Sequence, residues 1–181
     1  MLLYRVGVHQ PRSRRGSRGH PLTVDRSAQG GGRWDNPASY AVLYLAGQRD
    51  GAIAEVFQGV EVWSSEMFRH PASGLDRTLL TYDVDTATRW CDLDDPHRLL
   101  ELALAPSRVV TKNKATTQAV ALRIFESGAF DGIQWWSSLD ADMTVYALWN
   151  LNVARFVEAE PLDIDHPAVE AAARRLAKPR G

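Results

Sequence analysis

The order of the apolar segments limits the fold of this chain more than any other feature, because strand-like and helix-like segments follow one another irregularly. The strand-like segments are residues 2–8, 40–46, 77–85, 131–138, 143–149 and 154–160, with a brief extended piece at 107–111. The helix-like segments are residues 49–59, 96–104, 116–128 and 165–178. Regular βαβ units are absent, so the pattern predicts an α+β fold rather than a doubly wound one. We expect a compact mixed domain with a central, mostly antiparallel sheet.

Length and charge indicate one domain that binds its ligand locally. A chain of 181 residues can bury a real core but is short for two domains. We expect a single domain over residues 1–181, with a C-terminal helix or tail over 161–181. The net charge of −1 and the pI of 6.5 lack the basic excess of proteins that coat nucleic acid or anionic membranes. We therefore expect no membrane partner and no direct nucleic-acid binding.

The remaining bulk features predict a cytoplasmic protein without a metal. Cys91 is the only cysteine, which excludes an intramolecular disulfide, and Arg5 interrupts the N-terminal apolar residues too early for a signal peptide. The five histidines lie in unrelated contexts without a second ligand at a metal-binding spacing. Acidic pairs such as Asp140 and Asp142 are typical of solvated turns. The phosphate-loop, dinucleotide and serine-hydrolase motifs do not occur.

Residues 9–32 show no apolar periodicity and read as one long loop. They are rich in proline, glycine and serine and carry four arginines, Arg12, Arg14, Arg15 and Arg18. A loop of this length inside a compact domain is usually functional or disordered, and both alternatives stay open. The arginines can bind an acidic partner or simply be solvated.

The end of this loop runs into the sequence GGGRWDNP, residues 30–37. Glycines adopt backbone conformations closed to other residues, and they let a ligand approach the main chain. Arg33 offers a planar fork of donors that suits phosphate or carboxylate. By itself the stretch is also typical of a plain connection whose arginine pairs with a surface carboxylate.

Three further positions carry side chains that suit a binding site. Tyr44 lies in an apolar strand, Glu55 lies on the helix that follows, and Ser137 lies at the end of a strand in the sequence GIQWWSS. Each has an ordinary structural interpretation, as a core tyrosine, a solvated glutamate and a strand-end hydroxyl. The order of these residues along the chain, after Arg33, matches the pattern of a known family.

In that order the chain resembles the RES domain family, named for its arginine, glutamate and serine. The resemblance runs through LYRV, GGRWDNP, LYLA followed by AIAEVF, and TQAVALRIFESGAFDGIQWWSS, and covers about residues 4–149. It implies a compact α+β fold similar to ADP-ribosyltransferase toxins, with NAD as the substrate and no metal. It also implies a bacterial toxin with a neutralising antitoxin protein that carries a helix-turn-helix part.

The resemblance assigns the catalytic roles to Arg33, Glu55 and Ser137, of which Arg33 and Ser137 also bind NAD. Tyr44 takes the place of the family tyrosine in the NAD site, and Arg5 is a further residue of the pocket. The chain has RWDN where the family often has RWN, and we expect its contacts with the substrate to differ accordingly.

The position after Ser137 is a second departure, because the family often has an arginine where this chain has Ser138. Ser138 therefore joins the NAD-binding candidates, and strand alternation predicts that only one of the two serines faces the pocket. We expect Arg33, Tyr44, Glu55 and Ser137 to line one concave site.

The implied reaction is cleavage of the nicotinamide–ribose bond by an NAD glycohydrolase or phosphorylase. Glu55 would stabilise the oxocarbenium-like charge, and Arg33 would hold the diphosphate together with glycine N–H groups. Tyr44 would stack on nicotinamide or ribose, and Ser137 would position the cofactor. One alternative is a protein ADP-ribosyltransferase that uses NAD. The other is a non-catalytic interaction module that uses the arginine-rich loop.

Overall fold

A computed structural model describes residues 1–181, which form seven β-strands, five α-helices and three short 3₁₀ helices. The strands are β1 Leu2–Val8, β2 Leu43–Ala46, β3 Arg77–Val84, β4 Trp90–Asp92, β5 Gly132–Trp136, β6 Thr144–Leu148 and β7 Ala154–Pro161. The helices are α1 Arg49–Phe57, α2 Pro96–Glu101, α3 Pro106–Val109, α4 Lys114–Glu126 and α5 Pro167–Arg175. No helix is long and apolar enough to span a bilayer.

The strands form one mixed sheet in the order β4-β5-β6-β2-β1-β3-β7. β1 is antiparallel to β2 and β3, β5 is antiparallel to β6, and β4 is parallel to β5. The predicted α+β class with a central, mostly antiparallel sheet is confirmed.

The chain divides into two compact units. The first unit comprises Met1–Thr23, Ala46–Val84 and Arg155–Gly181, and the second comprises Val24–Leu45 and Asp85–Ala154. The expectation of a single domain over the whole chain stays a prediction.

The first unit is built on the antiparallel pair of β1 and β3, which runs in register from Leu2 opposite Asp83 to Val8 opposite Arg77. α1 packs against β1 and against α5. Its buried residues include Ile53 and Phe57, which contribute large apolar side chains to this core.

The second unit holds β4, β5 and β6 together with α4. The side chain of Asn113 caps α4 by accepting a hydrogen bond from the Thr116 N–H at 3.4 Å. Gly128 follows the helix with a φ of +65°, a conformation that favours glycine. The Arg89 guanidinium pairs with Asp131 at 3.1 Å and holds the pKa of that carboxyl down to about 2.

The prediction of an extended piece at residues 107–111 is wrong, because the chain forms the short helix α3 over Pro106–Val109. Pro106 occupies the first helical position, where its fixed φ favours a helix. The Arg108 N–H donates to the Ala105 carbonyl at 2.9 Å and closes the turn. Val109 is fully buried, so tertiary packing outweighs the β-propensity of the two valines.

One other strand prediction needs correction, and one strand was missed. The strand predicted to begin at residue 40 begins at Leu43, since the N–H and carbonyl of Val42 bond to the side chain of Gln29 instead of a neighbouring strand. β4 was not predicted at all. It has only three residues, and it forms because Cys91 pairs in parallel with Ile133, far along the chain.

Candidate functional site

The glycine-rich loop of the second unit, residues 30–37, is held in place by the carboxylate of Asp35, which belongs to the loop itself. Asp35 is 4% exposed, and its Oδ2 accepts hydrogen bonds from the N–H groups of Gly30 at 2.8 Å and Gly32 at 2.6 Å. Successive backbone N–H groups that converge on one point make an anion-binding concavity. In this loop the anion at that point is Asp35.

The geometry explains two of the three glycines. Gly30 has a φ of +124°, which favours glycine. A Cβ on Gly32 would lie 2.5 Å from the Tyr44 Oη and 2.6 Å from the Asp35 Oδ1, so this position has no room for a side chain. The prediction that these glycine N–H groups turn toward a substrate anion is wrong for Gly30 and Gly32, because Asp35 accepts both.

Tyr44 on β2 is tied to the same loop through its hydroxyl. The hydroxyl donates to the Asp35 Oδ1 at 2.7 Å and accepts from the Trp34 N–H at 3.0 Å. Burial, reinforced by the hydrogen bond to Asp35, raises the pKa of the phenol far above its usual range. The hydroxyl therefore stays protonated and fixes the orientation of the ring.

The N-terminal half of α4 holds the carbonyl groups of the loop. The Gln118 amide donates to the carbonyls of Gly30 at 3.2 Å and Gly32 at 2.9 Å, and the Thr117 hydroxyl donates to the Arg33 carbonyl at 2.5 Å. The Asn36 amide returns a bond to the Gln118 carbonyl at 2.9 Å. The loop is thus held from two sides, through its N–H groups and through its carbonyls.

The Arg33 side chain reaches the segment between α3 and α4. Its Nη1 donates to the carbonyls of Val109 at 2.9 Å and Thr111 at 2.6 Å. Carbonyl oxygens carry only partial negative charge, so these two contacts orient the guanidinium without cancelling its charge. Arg33 therefore joins the loop to a segment more than 70 residues along the chain.

Ser137 and Ser138 lie just beyond the end of β5 rather than on it. Ser137 is 2% exposed, its N–H donates to the Met143 carbonyl at 2.8 Å, and its Oγ accepts from the Leu139 N–H at 3.0 Å. Ser138 is exposed. Turn geometry rather than strand alternation therefore separates the two serines.

An aromatic contact links the end of β5 to the loop. The fully buried ring of Trp34 meets Trp135 edge to face, with 5.3 Å between the ring centroids. Trp34 neighbours Arg33 in sequence, and Trp135 lies two residues before Ser137. The Trp34–Trp135 contact thus links the loop that carries Arg33 to the strand that precedes Ser137.

Glu55 and Arg5 belong to the first unit. Glu55 lies on α1 and is partly exposed, between the buried Ala54 and the exposed Val56, and Arg5 lies on β1 opposite Leu80. The expectation that Glu55 shares one concave site with Arg33, Tyr44 and Ser137 stays a prediction.

Sequence reasoning missed Asp35 as an organising residue. The signal that could have found it was its position as an extra acidic residue directly after Arg33-Trp34, at the end of a glycine run. Acidic side chains in such loops commonly accept hydrogen bonds from nearby backbone N–H groups. No group of three or more histidine, cysteine or acidic side chains is placed to hold a metal ion.

Internal hydrogen bonds order the arginine-rich part of the long loop, residues 9–23, which lies in the first unit. The Gln10 N–H donates to the Gly19 carbonyl at 3.0 Å, and the Gly16 N–H donates to the Thr23 hydroxyl at 2.8 Å. Each of the four arginine side chains on this loop is exposed: Arg12, Arg14, Arg15 and Arg18. The loop thus presents a basic surface.

Comparison with known proteins places this geometry in a family. In fold the chain is similar to a chain in the crystal structure of the M. tuberculosis MbcT–MbcA toxin–antitoxin complex. The TM-score is 0.68 at 17% sequence identity, over 98% of this chain and 89% of that one. No curated protein matches the sequence. The family model of the RES domain matches residues 2–171, and the chain therefore belongs to the RES domain family.

Proposed function

We propose that this protein is an NAD-degrading enzyme that cleaves the nicotinamide–ribose bond and acts as the toxin of a bacterial toxin–antitoxin pair. The observation that carries the proposal is the match to the RES domain over residues 2–171, which includes every candidate site residue. The hydrogen-bonded glycine loop supports it, because rigid placement of polar groups is what a catalytic site requires.

Glu55 is the group on which the proposed chemistry depends most. Departure of nicotinamide leaves positive charge on the ribose, in an oxocarbenium-like state that a nearby carboxylate stabilises. Such a carboxylate favours the transition state over the uncharged ribose of the ground state. In the proposal Glu55 provides this negative charge.

The residues of the second unit bind and orient NAD in the proposal. Arg33, with its guanidinium oriented by two carbonyls, contributes the cation for the diphosphate. Tyr44 contributes its ring face, since its hydroxyl is bonded to Asp35 and Trp34. Ser137 fixes the turn after β5. Arg5 and Ser138 are further NAD-binding candidates.

The toxin role rests on the fold likeness to a chain of a toxin–antitoxin complex. We propose a protein antitoxin as the partner, with a helix-turn-helix part as the family resemblance implies. The proposed site of action is the cytoplasm, where an enzyme that consumes NAD deprives the cell of this cofactor.

Product analysis after incubation with NAD tests the proposal. The purified protein is mixed with NAD in buffer with and without inorganic phosphate, and nicotinamide, ADP-ribose and ADP-ribose phosphate are separated chromatographically. Release of nicotinamide supports the proposal, and phosphate-dependent ADP-ribose phosphate identifies a phosphorylase. Modification of a protein instead of either product identifies an ADP-ribosyltransferase. Intact NAD contradicts the glycohydrolase and the phosphorylase reactions.

The basic surface of the arginine-rich loop favours a second, non-catalytic function. A loop with four exposed arginines and no acidic residue between Arg12 and Arg18 can bind an acidic partner. If the chain leaves NAD intact but binds an acidic peptide, and charge reversal of these arginines abolishes that binding, the protein is an interaction module.

A further inference from the structure

Asp35 is a buried carboxylate that receives three hydrogen bonds from three different residues. Its Oδ2 receives the N–H groups of Gly30 and Gly32, and its Oδ1 receives the hydroxyl of Tyr44. Burial of a carboxylate is costly unless such donors replace the lost water. The arrangement therefore persists only while all three donors point at this one side chain.

The three bonds couple two parts of the site, the glycine-rich loop and Tyr44. The two glycine bonds set the path of the loop that leads into Arg33, and the third sets the rotation of the Tyr44 phenol. Tyr44 in turn accepts the Trp34 N–H at 3.0 Å, which closes a ring of contacts between β2 and the loop. A change at Asp35 is thereby transmitted to Tyr44 and to the backbone next to Arg33.

We propose that Asp35 is a positioning residue for the substrate site and acts through Tyr44 and the glycine loop. This inference rests on the proposed function. It assigns the role to a residue at which the chain departs from the RWN pattern of the family. It also implies that Tyr44 meets the substrate with its ring and not with its hydroxyl.

Two variants of Asp35 distinguish loss of its charge from loss of its hydrogen bonds. In Asp35→Asn the amide oxygen can accept both glycine N–H groups, and the amide NH₂ can donate to the Tyr44 oxygen, which has a second lone pair. In Asp35→Ala the three donors lose their acceptor. Asp94→Asn is the matched control, because Asp94 is an exposed acidic residue elsewhere in the same unit.

The experiment measures kcat and KM for nicotinamide release by the wild type, Asp35→Asn, Asp35→Ala, Tyr44→Phe, the double variant Asp35→Ala/Tyr44→Phe and the control. Hydrogen exchange of the Gly30 and Gly32 amides is measured beside it. We expect Asp35→Ala to lose amide protection and to lower kcat by about 10- to 100-fold, the cost of a small misplacement of a reacting group. The kcat of Asp35→Asn should stay within about threefold of the wild-type value. The kcat of the control Asp94→Asn should equal that of the wild type.

The double variant tests whether Asp35 acts through Tyr44. We expect it to be no slower than Asp35→Ala, because changes to one connected network are not additive. Independent, multiplying effects of the two substitutions would overturn the inference. So would a wild-type kcat in a folded Asp35→Ala variant that has lost protection of its glycine amides.

The remaining outcomes separate this inference from the proposed function. If Asp35→Ala does not fold, Tyr44→Phe decides, and a wild-type kcat in that variant overturns the inference. If the wild type releases nicotinamide but no variant differs from it, only the role of Asp35 fails. If the wild type releases none, the proposed function fails and the role of Asp35 falls with it.

Discussion

Replacing Arg33 by alanine is expected to destabilise the fold as well as to weaken NAD binding. The substitution removes both hydrogen bonds from Nη1 to the carbonyls of Val109 and Thr111. Hydrogen bonds that involve a charged group contribute about 1.5 to 3 kcal/mol each, and their loss leaves the partly buried carbonyls to be satisfied by water. Two such bonds amount to about 3 to 6 kcal/mol, and the water that replaces the guanidinium offsets part of this loss. We therefore expect Arg33→Ala to lower the free energy of unfolding by about 2 to 4 kcal/mol.

The assay is thermal unfolding of the wild type and two arginine variants. For a chain of this size each kcal/mol lowers Tm by about 2 to 4 °C, so Arg33→Ala should melt about 5 to 15 °C below the wild type. Arg108→Ala is the matched control, because Arg108 lies on α3 next to the same segment and is exposed. It should change stability by less than about 0.5 kcal/mol. Equal melting temperatures for both variants would refute the structural role of Arg33.

Two further predictions rest on the geometry, and a third rests on the proposed function. Gly32→Ala should lower the melting temperature and perturb Tyr44, whereas Gly31→Ala, which meets no atom within 4 Å, should not, as thermal melts of the two variants will show. The pKa of Asp131 is lowered from 3.8 to about 2, so the ionised carboxylate stabilises the fold fully at pH values above 3.8. This contribution disappears as the pH falls toward 2. The urea midpoints of the wild type and Asp131→Asn should therefore converge over that range, and a constant difference would contradict the assignment. Expression of the wild type should slow the growth of a host cell, and expression of Glu55→Gln should not, as growth curves with parallel NAD measurements will show.

The elements that the sequence predicts well are those with a local cause. β1 was predicted at its observed bounds, residues 2–8, because its apolar run ends where the polar loop begins. α4 was predicted within two residues at each end from its helical pattern and from Gly128 beyond it. Local patterns and caps of this kind need no knowledge of distant partners.

The features that sequence reasoning missed depend on partners far along the chain. β4 exists through parallel pairing with β5, and α3 through the burial of Val109. The contacts of Arg33 join residues 76 and 78 positions apart, so no local pattern indicates them. The sequence predicted that the backbone N–H groups of the glycine run bind the substrate anion, whereas those of Gly30 and Gly32 donate to Asp35 in the same loop.

The rate of nicotinamide release by Glu55→Gln, compared with the wild type, tests the central claim most directly. Glutamine keeps the shape of the side chain and deletes its charge, and Glu61→Gln is the matched control because Glu61 is exposed and lies outside α1. We predict that kcat falls by about 100-fold or more in Glu55→Gln, with little change in NAD affinity, and stays at the wild-type value in the control. Release of nicotinamide by Glu55→Gln at the wild-type rate would contradict the account.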